Sequence, residues 1–267
     1  MSNRYTHLIQ IIPIRTGLLR AGDDLAEQIL KNVKLEPNDI VVLSSKAIAT
    51  TEGAAVNLKN VIPSSEAIKY SKTCNQDPRL TETVLAEMKR MNGVVASTCP
   101  FALLTSLKPH GMKTGRILCP NAGMDQSNIE EGFAIGWPKD PVRSAQELRQ
   151  SFGVPVIISD SCCRPSRLGV TAFALVCCGI DPLRSEVGKK DLFGKTMRVT
   201  HEAIADQLAT AANAVMGNAA QCTPAAIIRD HGLPSSDFCG WVDGIEEGED
   251  MFGTVLTPSP SPSAGEG

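Results

Sequence analysis

Three short polar clusters hold the residue types that could carry chemistry. They are the Ser44-Ser45-Lys46 stretch, "NAGMDQSN" from Asn121 to Asn128, and "SDSCCRPSR" from Ser159 to Arg167. Each follows an apolar run that reads as a strand, and ligands commonly sit where strands stop in mixed α/β proteins. Asp125 and Asp160 stand among small residues that let a ligand approach closely. Two carboxylates from separate loops suit Mg²⁺ or Mn²⁺, hard cations that take oxygen ligands and share their shell with phosphates. Lys46, Arg164 and Arg167 would supply positive charge for those phosphates.

Plainer readings of the same residues stay open. Asp125 and Asp160 can each be a turn former or a helix cap. Lys46 can be a solvated side chain, and the two arginines can pair with surface acids. The adjacent Cys162 and Cys163 read as packing rather than catalysis. The histidines, His7, His110, His201 and His231, are scattered without metal-ligand spacing, and His201 with Glu202 reads as the opening of a helix. Neither a Walker-type G-x-x-x-x-G-K-[ST] loop nor G-x-G-x-x-G occurs. Any nucleotide must therefore be held without a standard phosphate loop.

The elements that must position these clusters follow from periodicity. "DDLAEQILKNV" spaces Leu25, Ile29 and Val33 four apart and reads as a helix capped near Asp23. "NDIVVLSSKAIA" reads as a buried strand running into a polar loop. "DPRLTETVLAEMKRM" and "DPVRSAQELRQSFG" read as helices, the second with Gly153 as C-cap, and "MRVTHEAIADQLATAANAVMG" as the longest helix. "GRILCP", "VPVIISDS", "TAFALVCCGI" and "PAAIIRDHG" read as strands, the last closing the fold. Strands and helices mix without strict alternation, so an α+β fold of mixed sheets with packed helices is expected over a doubly wound one.

Composition narrows the function classes. The chain has 267 residues, 42% hydrophobic and 21% charged, with a net charge of −3. That balance argues against recognition of nucleic acid or an anionic membrane through bulk charge. Aromatic residues are only 4%, too few for a base-stacking platform. No apolar run reaches a membrane span and no cleavable leader is read at the start, so a cytoplasmic protein is expected. Nine cysteines without any C-x-x-C pair are expected to be reduced and largely buried. One domain over residues 1–256 and a disordered Pro/Ser-rich tail over residues 257–267 are expected.

Several blocks together resemble the coenzyme F420-0:L-glutamate ligases, a family of γ-glutamyl ligases. They are "VVLSSKAIATTEG", "NAGMDQSNIEEG", "WPKDPVRSA", "IISDSCCRPSRLG", "GKKDLFGKTMRVTHEAIADQLATAANAVMG" and "AAIIRD", in the family's order. The resemblance implies a homodimeric α+β fold that uses GTP and Mg²⁺ or Mn²⁺ to join L-glutamate to a small carboxylate acceptor through an acyl phosphate. It implies Asp125, Asp160 and Ser161 as metal ligands, the two acids being catalytic in that sense. It implies Ser45, Lys46, Asn128, Met216, Gly217 and Asn218 as nucleotide contacts. The sequence departs from the family in its N-terminal loop, "RTGLLRAGDD", at Thr50-Thr51, and at Cys162, Cys163 and Ser166. A folate γ-glutamyl ligase and a non-catalytic nucleotide-binding protein are the alternative readings.

Overall fold

The computed structural model describes residues 8–246 and 248–252, and the expected tail at 257–267 lies outside them. The chain forms two compact units, one of Met1–Ala55 with Trp137–Val242, the other of Val56–Gly136 with Asp243–Gly267. The architecture is mixed α+β, as the pattern of elements predicts.

The first unit is built on a six-stranded sheet. Its strands are β1 (Gln10–Ile14), β2 (Ile40–Ser44), β8 (Val156–Cys163), β9 (Val170–Cys178), β12 (Ala225–Arg229) and β13 (Cys239–Trp241), in the order β1-β12-β2-β8-β9-β13. Every pairing is antiparallel except β2 with β8, which run parallel with Ser44 opposite Ser159. Both faces are covered, which is why β2 and β8 read as unbroken apolar runs. Ile40, Val42 and Ile157 pack with Ile228 against helix α6 (Ile204–Met216). Alternation puts Val41, Leu43, Val156 and Ile158 on the opposite side, all fully buried. Ala205, Ala209 and Ala212 are among the buried positions of α6, small enough to bring the helix close to the sheet. Helix α5 (Pro141–Phe152) packs on β8 and β9, α1 (Leu25–Leu30) is capped by Asp24, and α2 (Ser45–Thr51) follows β2 directly. A two-stranded arm of β10 (Arg184–Ser185) and β11 (His201–Glu202) precedes α6.

The second unit holds a three-stranded antiparallel sheet of β4 (Val94–Cys99), β5 (Ala102–Leu107) and β6 (Ile117–Pro120). Helices α3 (Ser65–Cys74) and α4 (Pro78–Arg90) pack together, and β3 (Val56–Asn57) pairs with β7 (Phe133–Ala134). Asp-Pro starts both α4 and α5. Asp77 accepts from the Arg79 N–H at 2.8 Å and Asp140 from the Arg143 N–H at 3.0 Å, with proline at the first helical position.

Four local expectations are corrected. The polar loop after β2 is helix α2, whose isolated length is too short to stand out in a propensity reading. His201 and Glu202 lie in β11 rather than in α6, because Glu202 pairs with Arg184 across the arm. The strand at Ala225–Arg229 is followed by β13, so it does not close the fold. Cys178 and Cys239 are directly opposite on β9 and β13 and joined as a disulfide, while the other seven cysteines form no disulfide.

Candidate functional site

The parallel pair β2–β8 places two of the polar clusters side by side in the first unit. With Ser44 opposite Ser159, the chain leaves β2 into Ser45 and Lys46 beside the point where β8 delivers Asp160 and Ser161. The Ser159 hydroxyl donates to the Leu43 carbonyl at 3.2 Å and ties the two ends. The segment after α6 returns to the same end of the sheet. The Ser44 N–H donates to the Pro224 carbonyl at 2.9 Å, and Ala225 pairs with Leu43. Met216 is buried at the end of α6, and Gly217 breaks the helix with a φ of 71°. A Cβ at Gly217 would lie 2.6 Å from the Gln221 side chain, and the Gln221 carboxamide oxygen in turn accepts from the Ala219 N–H at 2.7 Å. Asn218 is exposed on the turn that follows.

Asp160 is the most constrained of these groups. Its Oδ2 accepts from the indole Nε1–H of Trp137 at 2.6 Å, and its Oδ1 from the Ser161 N–H at 2.9 Å. Trp137 is buried and its ring meets Phe173 edge-on at 6.4 Å and Trp241 at 6.3 Å. The strand is re-aimed just before the acid. The β8–β9 register shifts between Ile158 and Ser159, leaving Leu175 as the extra residue of a bulge. Helix α6 fixes that bulge: Asp206 Oδ1 accepts from the Ala174 N–H at 2.8 Å and the Thr210 hydroxyl donates to the Ala172 carbonyl at 2.8 Å.

Beyond Asp160 the strand alternates. Cys162 is buried, and burial together with the neighbouring Cys163 pushes its thiol up to about 12, so it is a neutral packing group. Cys163 and Ser161 are exposed. The Arg164 guanidinium donates to Thr171 Oγ1 at 3.0 Å, lying along the hairpin, and Arg167 is exposed in the turn. Glu52, at the end of α2, has its carboxyl pushed up by burial. The Ser144 hydroxyl donates to it at 2.6 Å, which anchors α2 to α5.

The third cluster belongs to the second unit. Asp125 forms an Asx turn, its Oδ1 accepting from the N–H groups of Gln126 at 2.6 Å and Ser127 at 2.9 Å. Its backbone bridges Ile135 in both directions. Asn128 sits in the left-handed region with a φ of 53°.

Among the described residues no three His, Cys, Asp or Glu side chains gather as a metal cage. The donors at Asp160 and Ser161, and at Asp125 and Ser127, are oxygens, and the adjacent Cys162 is neutral. Each pair of donors by itself suits a hard divalent cation that completes its shell with phosphate oxygens and water, and does not suit a sulfur-bound metal. Trp137, Asp206 and Thr210 were not singled out by sequence. Trp137 stands in a block quoted for the family resemblance, but an indole next to proline signals nothing about a carboxylate 23 residues on.

Residues 13–230 match the family model described as F420-0:Gamma-glutamyl ligase. The Coenzyme F420:L-glutamate ligase of Methanosarcina acetivorans is 37% identical over 218 residues, which cover 79% of this chain and 82% of that protein. The protein of the same name from Methanocaldococcus jannaschii is 34% identical over 233 residues, covering 85% and 89%. That from Methanococcus maripaludis is 31% identical over 252 residues, covering 91% and 97%. With most of its length matched by the family model, the chain belongs to the F420-0:gamma-glutamyl ligase family.

Proposed function

We propose that the chain is a GTP- and divalent-metal-dependent γ-glutamyl ligase that joins L-glutamate to a carboxylate of F420-0 or a related acceptor. The observation that carries the reading is the parallel β2–β8 pair, which gathers Ser45, Lys46, Asp160 and Ser161 at one end of a sheet in a chain of this family. Relatives carry names that specify glutamate and coenzyme F420, which supports the same substrates here.

In the proposed reaction an acceptor carboxylate oxygen attacks the γ-phosphorus of GTP, and the bond to the β-phosphate oxygen breaks to release GDP. The deprotonated amine of glutamate then attacks the acyl carbon, forming the amide as the acyl-oxygen bond breaks and inorganic phosphate leaves. Asp160, Ser161 and Asp125 would hold Mg²⁺ or Mn²⁺, which would neutralise charge building on the phosphoryl oxygens. Lys46 would contribute a cation to the nucleotide phosphates, and Arg164 and Arg167 to the phosphate or the acceptor. Ser45, Asn128 and the turn Met216–Asn218 would complete the nucleotide site. The Trp137 indole holds the Asp160 carboxylate in one orientation, so that the acid is preorganised for its cation.

Phosphate release measured with GTP, Mg²⁺ and glutamate, and with F420-0 or a tetrahydrofolate in separate arms, tests the reading. Release dependent on both glutamate and F420-0 supports it, and release with tetrahydrofolate alone assigns the folate reaction. Nucleotide binding without release in any arm assigns a non-catalytic protein. Homodimerisation is proposed as well. On the arm before α6, Leu192, Phe193 and Val199 are almost wholly exposed, apolar surface that a second copy would cover. Light scattering on Leu192→Asp with Phe193→Asp should then report monomers where the parent gives dimers.

A further inference from the structure

The last strand of the first unit's sheet is β13, only three residues long, with β9 as its neighbour. Beyond the paired residues, the Gly179 N–H donates to the Phe238 carbonyl at 2.8 Å and the Val242 N–H to the Leu175 carbonyl at 2.9 Å. An edge strand with so few backbone bonds belongs to the part of a fold that opens at low free energy. The Cys178–Cys239 bond takes that freedom away.

The two sulfurs sit in different surroundings. Cys178 is buried, and the Arg149 guanidinium on α5 donates to its Sγ from Nη1 at 3.9 Å. Gly179 makes room for that guanidinium. Its φ is 102°, and a Cβ there would lie 3.0 Å from Arg149 Nε and 3.1 Å from Pro155. Cys239 is half-buried on the edge strand, so a thiolate from outside can approach its sulfur. Exchange is fastest when the attacked sulfur is accessible and the leaving sulfur's charge is stabilised, here by Arg149. No nucleophile for the step comes from next door. Alternation turns Cys177 to the α6 side of the sheet, where it is wholly buried and its thiol is pushed up to about 12 by burial.

The bond lies close to the support of Asp160. Two residues after Cys239, Trp241 is buried with its ring 6.3 Å from that of Trp137. Trp137 in turn donates to Asp160 Oδ2 at 2.6 Å. The order of contact is therefore Cys239, Trp241, Trp137 and Asp160, all within one unit.

We propose that Cys178–Cys239 is a thiol–disulfide exchange site for a dithiol reductant, and that its state sets how firmly β13 holds the tryptophan pair behind Asp160. A thiolate of the reductant attacks Cys239 Sγ, the sulfur–sulfur bond breaks, and its electron pair leaves on Cys178 Sγ beside Arg149. The reductant's second thiol, deprotonated to solvent, then attacks the reductant's own sulfur in the mixed disulfide. Cys239 leaves as a thiolate, the reductant departs as a disulfide, and the two cysteines take up two protons from solvent. Two electrons have passed to the pair, and β13 is left with its backbone bonds alone. None of this depends on the ligase reading.

The probe is dithiothreitol, added to the full chain after oxidation with diamide and without denaturant. Mass spectrometry of alkylated peptides should find Cys178 and Cys239 reduced in the folded chain. Arg149→Met should slow that reduction about threefold or more, and Arg149→Lys, which keeps the charge, should hold the parent rate. The chain has two tryptophans, Trp137 and Trp241, so its tryptophan emission reports this site directly. Reduction should increase the quenching of that emission by acrylamide, and Cys239→Ser should show the increased quenching without dithiothreitol and no response to it. No diamide-formed bond between the two cysteines, reduction only in urea, a rate in Arg149→Met equal to or above the parent's, or unchanged quenching would overturn the proposal. So would loss of the far-ultraviolet circular dichroism on reduction, which would make the bond a structural one. The assay reads thiols and tryptophans rather than turnover, so its failure leaves the ligation reading intact, and failure of ligation leaves this one intact.

Discussion

Trp137→Phe is the perturbation whose outcome the geometry fixes most closely. The indole N–H reaches Asp160 Oδ2 at 2.6 Å from a ring that is 3% exposed. Phenylalanine keeps an aromatic surface for Phe173 and Trp241 but removes that donor. Loss of a hydrogen bond to a charged group costs about 1.5–3 kcal/mol. The space left by the smaller ring adds on the order of 1 kcal/mol. A total near 3 kcal/mol lowers the thermal midpoint by roughly 6–12 °C for a chain of this size. A double-mutant cycle with Asp160→Ala should return a coupling of about 1 kcal/mol or more. If Asp160 holds the metal, its loosened carboxylate should also weaken Mn²⁺ binding about 10- to 100-fold, read by calorimetry. Coupling within the roughly 0.3–0.5 kcal/mol of simple additivity, or unchanged Mn²⁺ affinity, would refute the positioning argument.

Other outcomes follow from the same structure. Burial pushes the Cys177 thiol up to about 12 from an ordinary 9.0, so the folded state keeps a proton that the unfolded chain loses above pH 9. Its contribution is therefore present below pH 9 and lost as pH rises towards 12, by about 1.4 kcal/mol per pH unit. Urea midpoints between pH 9.5 and 11 should fall less steeply in Cys177→Ala than in the parent; equal slopes would count against it. Thiol titration of the denatured chain should find seven groups without reductant, because Cys178 is joined to Cys239, and nine with it. Nine in both cases would show the pair reduced. Cys162→Ala with Cys163→Ala should keep most activity, since one thiol is buried packing and the other exposed; loss of turnover in a folded double variant would make the sulfur catalytic.

The parts of the fold that periodicity and capping determine were legible in the chain itself. The Asp-Pro starts of α4 and α5, the Gly153 cap at a φ of 68°, and the apolar runs of β2, β8 and β9 stand where pattern places them. What pattern missed depends on tertiary partners. Helix α2 is only seven residues long and is held by Glu52 bonding Ser144 across to α5. The β9–β13 disulfide joins residues 61 apart, a pairing that spacing alone does not select. At the candidate site the acid at the end of β8 was visible as a lone Asp after an apolar run, and the parallel register with β2 explains its setting beside Ser45 and Lys46. The Trp137 contact and the bulge at Leu175 were not visible, because both arise from long-range packing on a strand whose sequence stays apolar through the irregularity.

The most direct test of the central claim is mass spectrometry of F420-0 incubated with the chain, glutamate, GTP and Mg²⁺. A glutamylated product should form with the parent and be lost in Asp160→Asn, a change that keeps an oxygen for the Trp137 indole while removing the charge. No glutamylated product with the parent, or undiminished product with folded Asp160→Asn, would contradict the account.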